Sequence, residues 1–579
     1  MSTSSPPVGR LLKSSMASAS SLMALQLLSR GFTFALNQAL FRLASPSAFG
    51  AAAIQFELIL STILFLSREG VRNALLRDGG VNTAHPDATA KRMNLAFLPI
   101  AAGIPLALCT AFLYTYYAGQ EIRQQPHFEA TIILYAISAV VELLSEPFYN
   151  VAMGELKTGV RVRAEGLGIT AKSITTFLVL FYDSTRGNNG SLALLAFAFG
   201  QLVYGLVMLA TYTLYLGTSY MAPKHPASFS SRNSSLLSYI DQETLHLSFT
   251  MTLQSLVKHF LTEGDKMVLS WFSPLQDQGG YAIAVNYGPL IPVINLFDGS
   301  LIARIIFQPI EESLRVFFSR TLGGVGSANA KTKPNNSEEQ YASLVQSAST
   351  LRSLLSIQVS MSAILVVFGS AYMSILLPLL LPSQYLTTSA PNVLAAWVWY
   401  IPVLAVNGGL EAFLSSVATP KDLNGQSRWM IAFSIIYIIS AIFLYRSGFG
   451  DSSLVYANII NLSVRILYSL HFITNFFSKS IASASASVTG PPLFNWKDAL
   501  PSWNLYTALA LSSLFIYLSD RRFKASATIA AHPGKLAIFN PSVLIHVAIG
   551  TFLGLVCLFT WWRSSGRHLN VSFARKKVD

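Results

Sequence analysis

Along this chain, apolar stretches of roughly the length needed to cross a bilayer as a helix alternate with short polar, glycine-, proline- or serine-rich breaks. Fourteen such stretches begin near residues 16, 48, 93, 127, 167, 191, 246, 281, 348, 392, 428, 453, 503 and 541. The stretches near 246 and 281 are interrupted by charge and by proline. The pattern predicts an all-α polytopic membrane protein. The first stretch carries Gln26, Arg30 and Asn37, so it lacks the uninterrupted apolar core of a cleavable signal and reads as a retained helix.

Composition agrees. Of 579 residues, 52% are hydrophobic and only 12% charged, against about 25% charged in soluble domains. So few charges cannot cover a water-facing surface. The net charge of +13 need not mean nucleic acid, because its distribution is one-sided. With both termini placed in the cytosol, the cytosolic loops hold 25 Lys and Arg and the opposite loops 8, the positive-inside asymmetry. Membrane lipid is the expected contact and no nucleic acid is expected. Cys109 and Cys557 both fall inside apolar runs, so neither a disulfide framework nor a zinc site is expected.

The polar breaks set the expected organisation: a flexible cytosolic N-terminus (1–15), a lobe of six helices (16–217) and a cytosolic linker (218–245). A second six-helix lobe (246–477), a flexible linker (478–502), two further helices (503–563) and a basic cytosolic tail (564–579) follow. Residues 1–15, 78–90, 323–340 and 478–492 read as structureless, being poor in apolar residues and rich in Ser, Gly, Asn or Pro. Asn189 opens a glycosylation sequon in an expected lumenal loop. Asn233, Asn335 and Asn570 open others in expected cytosolic segments.

Candidate chemistry lies in charges within the spans, where each costs about 2.5–3.5 kcal/mol at a helix centre on insertion scales. Arg30, Lys172, Lys258, Lys266, Arg304, Arg352 and Arg465 fall there, Lys172 and Arg352 near expected span ends. Gln26, Arg30, Thr33 and Asn37 share one helix face. Gln254, Lys258, Thr262 and Asp265 make a second stripe, with His259, Glu263 and Lys266 beside it. Asn458, Asn461 and Arg465 make a third. Three striped helices imply a shared hydrophilic cavity, lined by Gln26, Asn37, Gln254, Glu263 and Asn461. Its basic residues Arg30, Lys258, Arg304 and Arg465 suit a phosphate or diphosphate. Alternatively, the charges neutralise one another as structural pairs. A weak repeat places Arg68, Glu69 and Arg72 after the second span and Glu312 and Arg315 after the eighth, which predicts a gating cluster at the cytosolic mouth.

Enzyme readings lack their motifs. No GxxxxGK, HExxH or GxSxG occurs, and the first lumenal loop (42–47) has no acid that could hold a metal. No catalytic residue, cofactor or metal is expected.

Several stretches together resemble the eukaryotic Rft family. They are LLSRGFTFALNQALFR (27–42), FLSREGVRNALLR (65–77), ELLSEPFYNVA (142–152), KTGVRVRAEGLGITAKS (157–173), FLTEGDKMVL (260–269), DQGGYAIAVNYG (277–288), IARIIFQPIEESLRVFFSR (302–320) and NGQSR (424–428). They run in family order over about three quarters of the chain. The resemblance implies the fold of lipid II flippases and multidrug exporters: two six-helix lobes around a central cavity, with two helices added at the C-terminal end. It implies translocation of Man(5)GlcNAc(2) diphosphate dolichol across the endoplasmic reticulum membrane for N-glycosylation. A partner that presents the lipid without moving it is the alternative, and proteins of the glycosylation pathway are implied partners. Lys576 and Lys577, fourth and third from the end, resemble a dilysine retrieval signal.

Overall fold

A computed structural model of the chain describes residues 36–78, 86–155, 157–187, 190–224, 239–287, 317–318, 321–322, 337–484, 493–531 and 535–566. Among the described residues the fold is helical throughout, without strands.

Proline and a short polar cap start several of the helices. Ser45 accepts a hydrogen bond from the Ala48 N–H ahead of Pro46. Asn540 accepts one from Ser542 N–H ahead of Pro541. Thr419 and Asp422 close a reciprocal capping box around Pro420. Proline at the first helical position sacrifices only an N–H that had no intrahelical partner, and the caps satisfy the next ones.

The long helices of the first part are α1 (Pro46–Leu76), α2 (Leu98–Tyr117), α3 (Phe128–Gly154), α4 (Thr158–Thr185), α5 (Ala193–Leu216) and α6 (Gln242–Thr262). Two shorter ones follow, α7 (Gly264–Phe272) and α8 (Leu275–Tyr287). Then come α9 (Ser337–Leu380), α10 (Ala390–Val417), α11 (Pro420–Leu444), α12 (Ser452–Ala484), α13 (Trp503–Phe523) and α14 (Pro541–Trp561). Among the described residues, ten helices are long and apolar enough to span a membrane, and they fall on ten of the fourteen stretches read from sequence. Their apolar windows are as little as 17% buried. Leu108, Phe112, Leu214 and Phe443 point outward. In water such faces would aggregate; against lipid they are the proper surface of a multi-pass protein.

Contacts divide the chain into two compact units, Met1–Gly279 and Gly280–Asp579, with the division inside α8. In the first unit α2 packs on α3, α3 on α5, α5 on α4, and α6 on α1. The expected linker at 218–245 falls within the first unit, where α6 packs on α1. Gly70 is the reason the two helices fit. A Cβ there would lie 1.9 Å from Thr252 Oγ1 and 2.5 Å from the Ser248 carbonyl.

In the second unit α9 packs on α10, α10 on α12, and α12 on α11. The base is a cluster of Phe318, Leu344, Leu351, Phe413, Ile473 and Phe477. The α13–α14 pair covers α9 through Ile364, Phe368, Leu505, Leu509 and Cys557. A polar knot pins it. The Tyr372 hydroxyl donates to the His546 carbonyl at 2.9 Å, and the His546 ring meets Ser519 Oγ at 2.8 Å. Gly550 is required beside it, since a Cβ would sit 2.1 Å from the Tyr372 oxygen.

Two segments read as structureless are partly helical. A helix of residues Pro86–Leu95 starts within 78–90, and α12 runs on to Ala484. Alanine-rich sequence after a proline or a long helix keeps helix propensity despite low hydrophobicity.

Candidate functional site

The described polar chemistry of the first unit centres on the C-terminal half of α1. Arg68 and Arg72, one turn apart, face Glu142 and Glu146, one turn apart on α3. Arg68 Nη1 donates to Glu142 Oε1 at 2.7 Å and to Glu146 Oε1 at 3.4 Å. Arg72 grips Glu146 with a fork, Nε to Oε2 at 2.7 Å and Nη2 to Oε1 at 2.5 Å. Its guanidinium also lies 3.7 Å from the Tyr149 ring centroid. Both glutamates are almost wholly buried.

A bend brings the two acids to one side. Residues 144–145 are a turn within α3, and Pro147, which lacks an N–H, follows. Ser145 is buried, and its hydroxyl donates to the Glu142 carbonyl at 2.6 Å, which also accepts the Ser145 N–H at 3.0 Å. Proline, which cannot bond the Leu143 carbonyl, accounts for the kink.

The network continues inward. Gln201 Nε2 on α5 donates to Glu142 Oε2 at 3.3 Å, and Gln201 Oε1 accepts from Lys172 Nζ at 2.6 Å. Lys172 thus stands in the middle of α4, not near a span end, and is held rather than stretched towards a headgroup. His259 on α6 meets Thr62 at 3.1 Å and stacks on Phe65 with 4.4 Å between ring centres. Glu263 pairs with Lys266 at 2.9 Å. Of these groups Arg68, Arg72, Glu142, Lys172, Gln201, Phe65, His259 and Glu263 line a cavity of about 510 Å³, together with Glu57, Ser61, Glu69 and Tyr204. Just ahead of Glu57, α1 widens into a π-helical turn over Ala51–Phe56, a distortion that re-aims side chains and recurs at functional sites.

The sequence-derived candidates scatter. Glu263 lines this cavity. Arg68 and Arg72 join the α3 glutamates, whereas Glu69 accepts from Asn73 at 3.2 Å and pairs with neither arginine. Asn37 is half-buried on a helical stretch, 36–43. Gln254 and Lys258 stand on α6, with their side chains outside the description. Gln26, Arg30, Thr33, Arg304, Glu312, Arg315, Asn189, Lys576 and Lys577 lie outside the described residues.

In the second unit, Arg465 on α12 is ion-paired with Glu411 on α10, Nε to Oε1 at 3.0 Å. Asn461, one turn away, has a buried Oδ1 without a hydrogen-bond partner among the described residues. Arg465 therefore follows the alternative in which intramembrane charges neutralise one another. A double-mutant cycle on Glu411→Gln and Arg465→Gln should give a coupling of about 1 kcal/mol, since the pair is only partly shielded. Thermal unfolding of the four proteins measures it. Strict additivity would show that the two charges do not depend on each other.

The units share one plan. Of four successive long helices, the first packs on the second, the second on the fourth and the fourth on the third. In each, a glutamate on the second helix faces a polar side chain on the fourth: Glu142 with Gln201, Glu411 with Arg465. This repeat is firmer than the one seen in sequence, half of which is outside the described residues. Glu142, Glu146 and Glu411 were legible as acids inside apolar runs, a signal missed by weighing only the basic residues there.

Comparison with known proteins gives consistent results. The family described as Rft protein matches residues 14–574. A Yarrowia lipolytica protein named Man(5)GlcNAc(2)-PP-dolichol translocation protein is 33% identical, over 81% of this chain and 71% of its own. The Saccharomyces cerevisiae protein of that name is 32% identical, over 84% and 86%. The Mus musculus one is 28% identical, over 93% and 92%. Among solved structures, a lipid II flippase in an inward closed conformation aligns with a TM-score of 0.51 at 12% identity, over 93% of this chain and 99% of that one, which is a likeness of fold.

Proposed function

Because this chain belongs to the Rft protein family, we propose that it translocates a dolichol-diphosphate-linked oligosaccharide from the cytosolic to the lumenal leaflet of the endoplasmic reticulum, for N-glycosylation. The observation that carries this reading is the family match over nearly the whole chain, 14–574, with relatives named for that translocation. The flippase-like fold supports it, as does a multi-pass body with polar groups held inside its helices. No chemical step is assigned: the reading is of a translocator, not an enzyme.

The topology that goes with it has both termini in the cytosol and Lys576 and Lys577 as a retrieval signal, with Asn189 lumenal. Arg30, Lys258 and Arg304 remain the candidates for the diphosphate. Arg465 is a weaker one, because a phosphate must displace Glu411 to reach it.

The test is reconstitution of the purified protein into vesicles with the labelled lipid-linked oligosaccharide. A membrane-impermeant lectin should reach the whole pool, rather than the outer-leaflet share it reaches in empty vesicles. If it reaches only that share while the protein still binds the lipid, the protein presents its lipid to a partner without moving it.

A further inference from the structure

We propose that the cavity of the first unit binds the carbohydrate of the cargo, through neutral sugar hydroxyls, and not its diphosphate. The proposal rests on the translocation reading above and assigns it a part of the ligand.

Charge decides first. The cavity lining holds the carboxylates of Glu57, Glu69, Glu142 and Glu263 against the permanent cations Arg68, Arg72 and Lys172. The arginines are committed to Glu142 and Glu146, and Lys172 to Gln201. Counting the paired neighbours Glu146 and Lys266, the described residues set five carboxylates against four cations, so among the described residues a diphosphate entering here meets net negative charge and must first break buried ion pairs. Like charges in a shielded site repel strongly. A polyhydroxyl group meets no such barrier, and carboxylates and amides are strong acceptors for its O–H donors.

Unused hydrogen-bonding capacity comes second. Glu57 lies half-buried on this cavity, and among the described residues it makes no hydrogen bond or ion pair. A carboxylate in a membrane-spanning helix without a partner is costly, and sugar hydroxyls would satisfy its oxygens. Apolar surface comes third. The stacked Phe65 and His259 rings and the Tyr204 ring lie on the same cavity, and the C–H face of a pyranose packs on such π-faces while its rim hydrogen-bonds. The volume of about 510 Å³ falls within the ordinary range for small-ligand sites, which is room for a few of the seven sugar rings.

Two probes separate the parts of the ligand: the free heptasaccharide Man(5)GlcNAc(2), which has no lipid or phosphate, and farnesyl diphosphate, which has no sugar. Each is titrated against full-length protein in lipid nanodiscs, wild type, Glu57→Gln and Glu57→Leu. The expected result is that both substitutions weaken the heptasaccharide by about 10-fold or more, the loss of a charge-assisted hydrogen bond. Farnesyl diphosphate should then bind all three proteins alike, which also shows that the variants are folded. The proposal is overturned if the heptasaccharide does not bind wild type, or if the variants lose both probes equally. It is also overturned if replacing choline by sodium raises the unfolding temperature of wild type but not of Glu57→Gln while the heptasaccharide is inert; the cavity is then a cation site. Binding of the intact lipid-linked oligosaccharide is measured separately and tests the translocation reading. Its absence, with the heptasaccharide still bound through Glu57, leaves the cavity a glycan site and removes the assigned cargo.

Discussion

Glu146→Gln is expected to destabilise the protein by about 3–5 kcal/mol, the cost of removing one partner of a buried ion pair. Glu146 is fully buried and receives both arms of Arg72 and one arm of Arg68. The amide keeps the shape but offers one acceptor and no charge, so the Arg72 guanidinium is left shielded from water without a counter-charge. The loss should appear as a lowered unfolding temperature in detergent and a lower steady-state level in the membrane. Glu165→Gln is the matched control. Its pair with Arg161 is exposed on both sides, so its loss should cost about 0.5 kcal/mol or less. Adding Arg72→Gln to Glu146→Gln should recover part of the stability, because two neutral amides can bond to each other. If Glu146→Gln costs no more than Glu165→Gln, the cluster is open to water and holds nothing together.

Gly70→Ala and Gly166→Ala should shift stability in opposite directions. At Gly70 the new methyl would lie 1.9 Å from Thr252 Oγ1 and 2.5 Å from a backbone oxygen of α6. The hydroxyl can rotate away, but the carbonyl cannot, so α6 must withdraw from α1. Overpacking of this kind costs about 1–3 kcal/mol, here at the upper end and only partly offset by the helix propensity of alanine. The withdrawal also loosens the contacts of His259 with Thr62 and Phe65, so it opens the cavity wall. Gly166 sits in the middle of α4 with nothing within 4 Å of a Cβ. Alanine there should gain about 0.5–1 kcal/mol. Thermal unfolding of the two variants is the measurement. Equal shifts of the same sign would mean that α1 and α6 are not in close contact.

Most of the fold was legible because apolar length is a strong signal. Of the remaining four stretches, residues 16–35 of the first and 288–316 beyond α8 lie outside the described residues. The other two, α6 and α13, are helices of the expected place and length. Their polar content keeps them from the ten apolar spans: α6 carries the Gln254, Lys258 and His259 stripes, and α13 ends in Asp520-Arg521-Arg522. The site was less legible. The cluster was read from the Glu-x-x-Arg spacing, which places Glu69 and Arg72 on one helix face. The partners of Arg68 and Arg72 instead lie 74 residues away. The matching one-turn spacing of Glu142 and Glu146 was the available clue, but spacing alone does not say which two helices touch. Arg465 shows the converse. Its stripe lies on α12, yet the role of a stripe depends on whether an acid such as Glu411 faces it.

The split of the charge cluster between α1 and α3 bears on how the chain is made. Neither helix enters the membrane at low cost by itself, since each carries two ionised side chains that only the other neutralises. The arginines emerge first, and the glutamates follow 74 residues later, which is roughly 4–15 s of synthesis at ordinary rates. During that interval α1 must stay beside the insertion machinery, or with its arginines in the aqueous interface, until α3 arrives. The ion pairs that steady the finished protein thus also couple the settling of α1 to the arrival of α3.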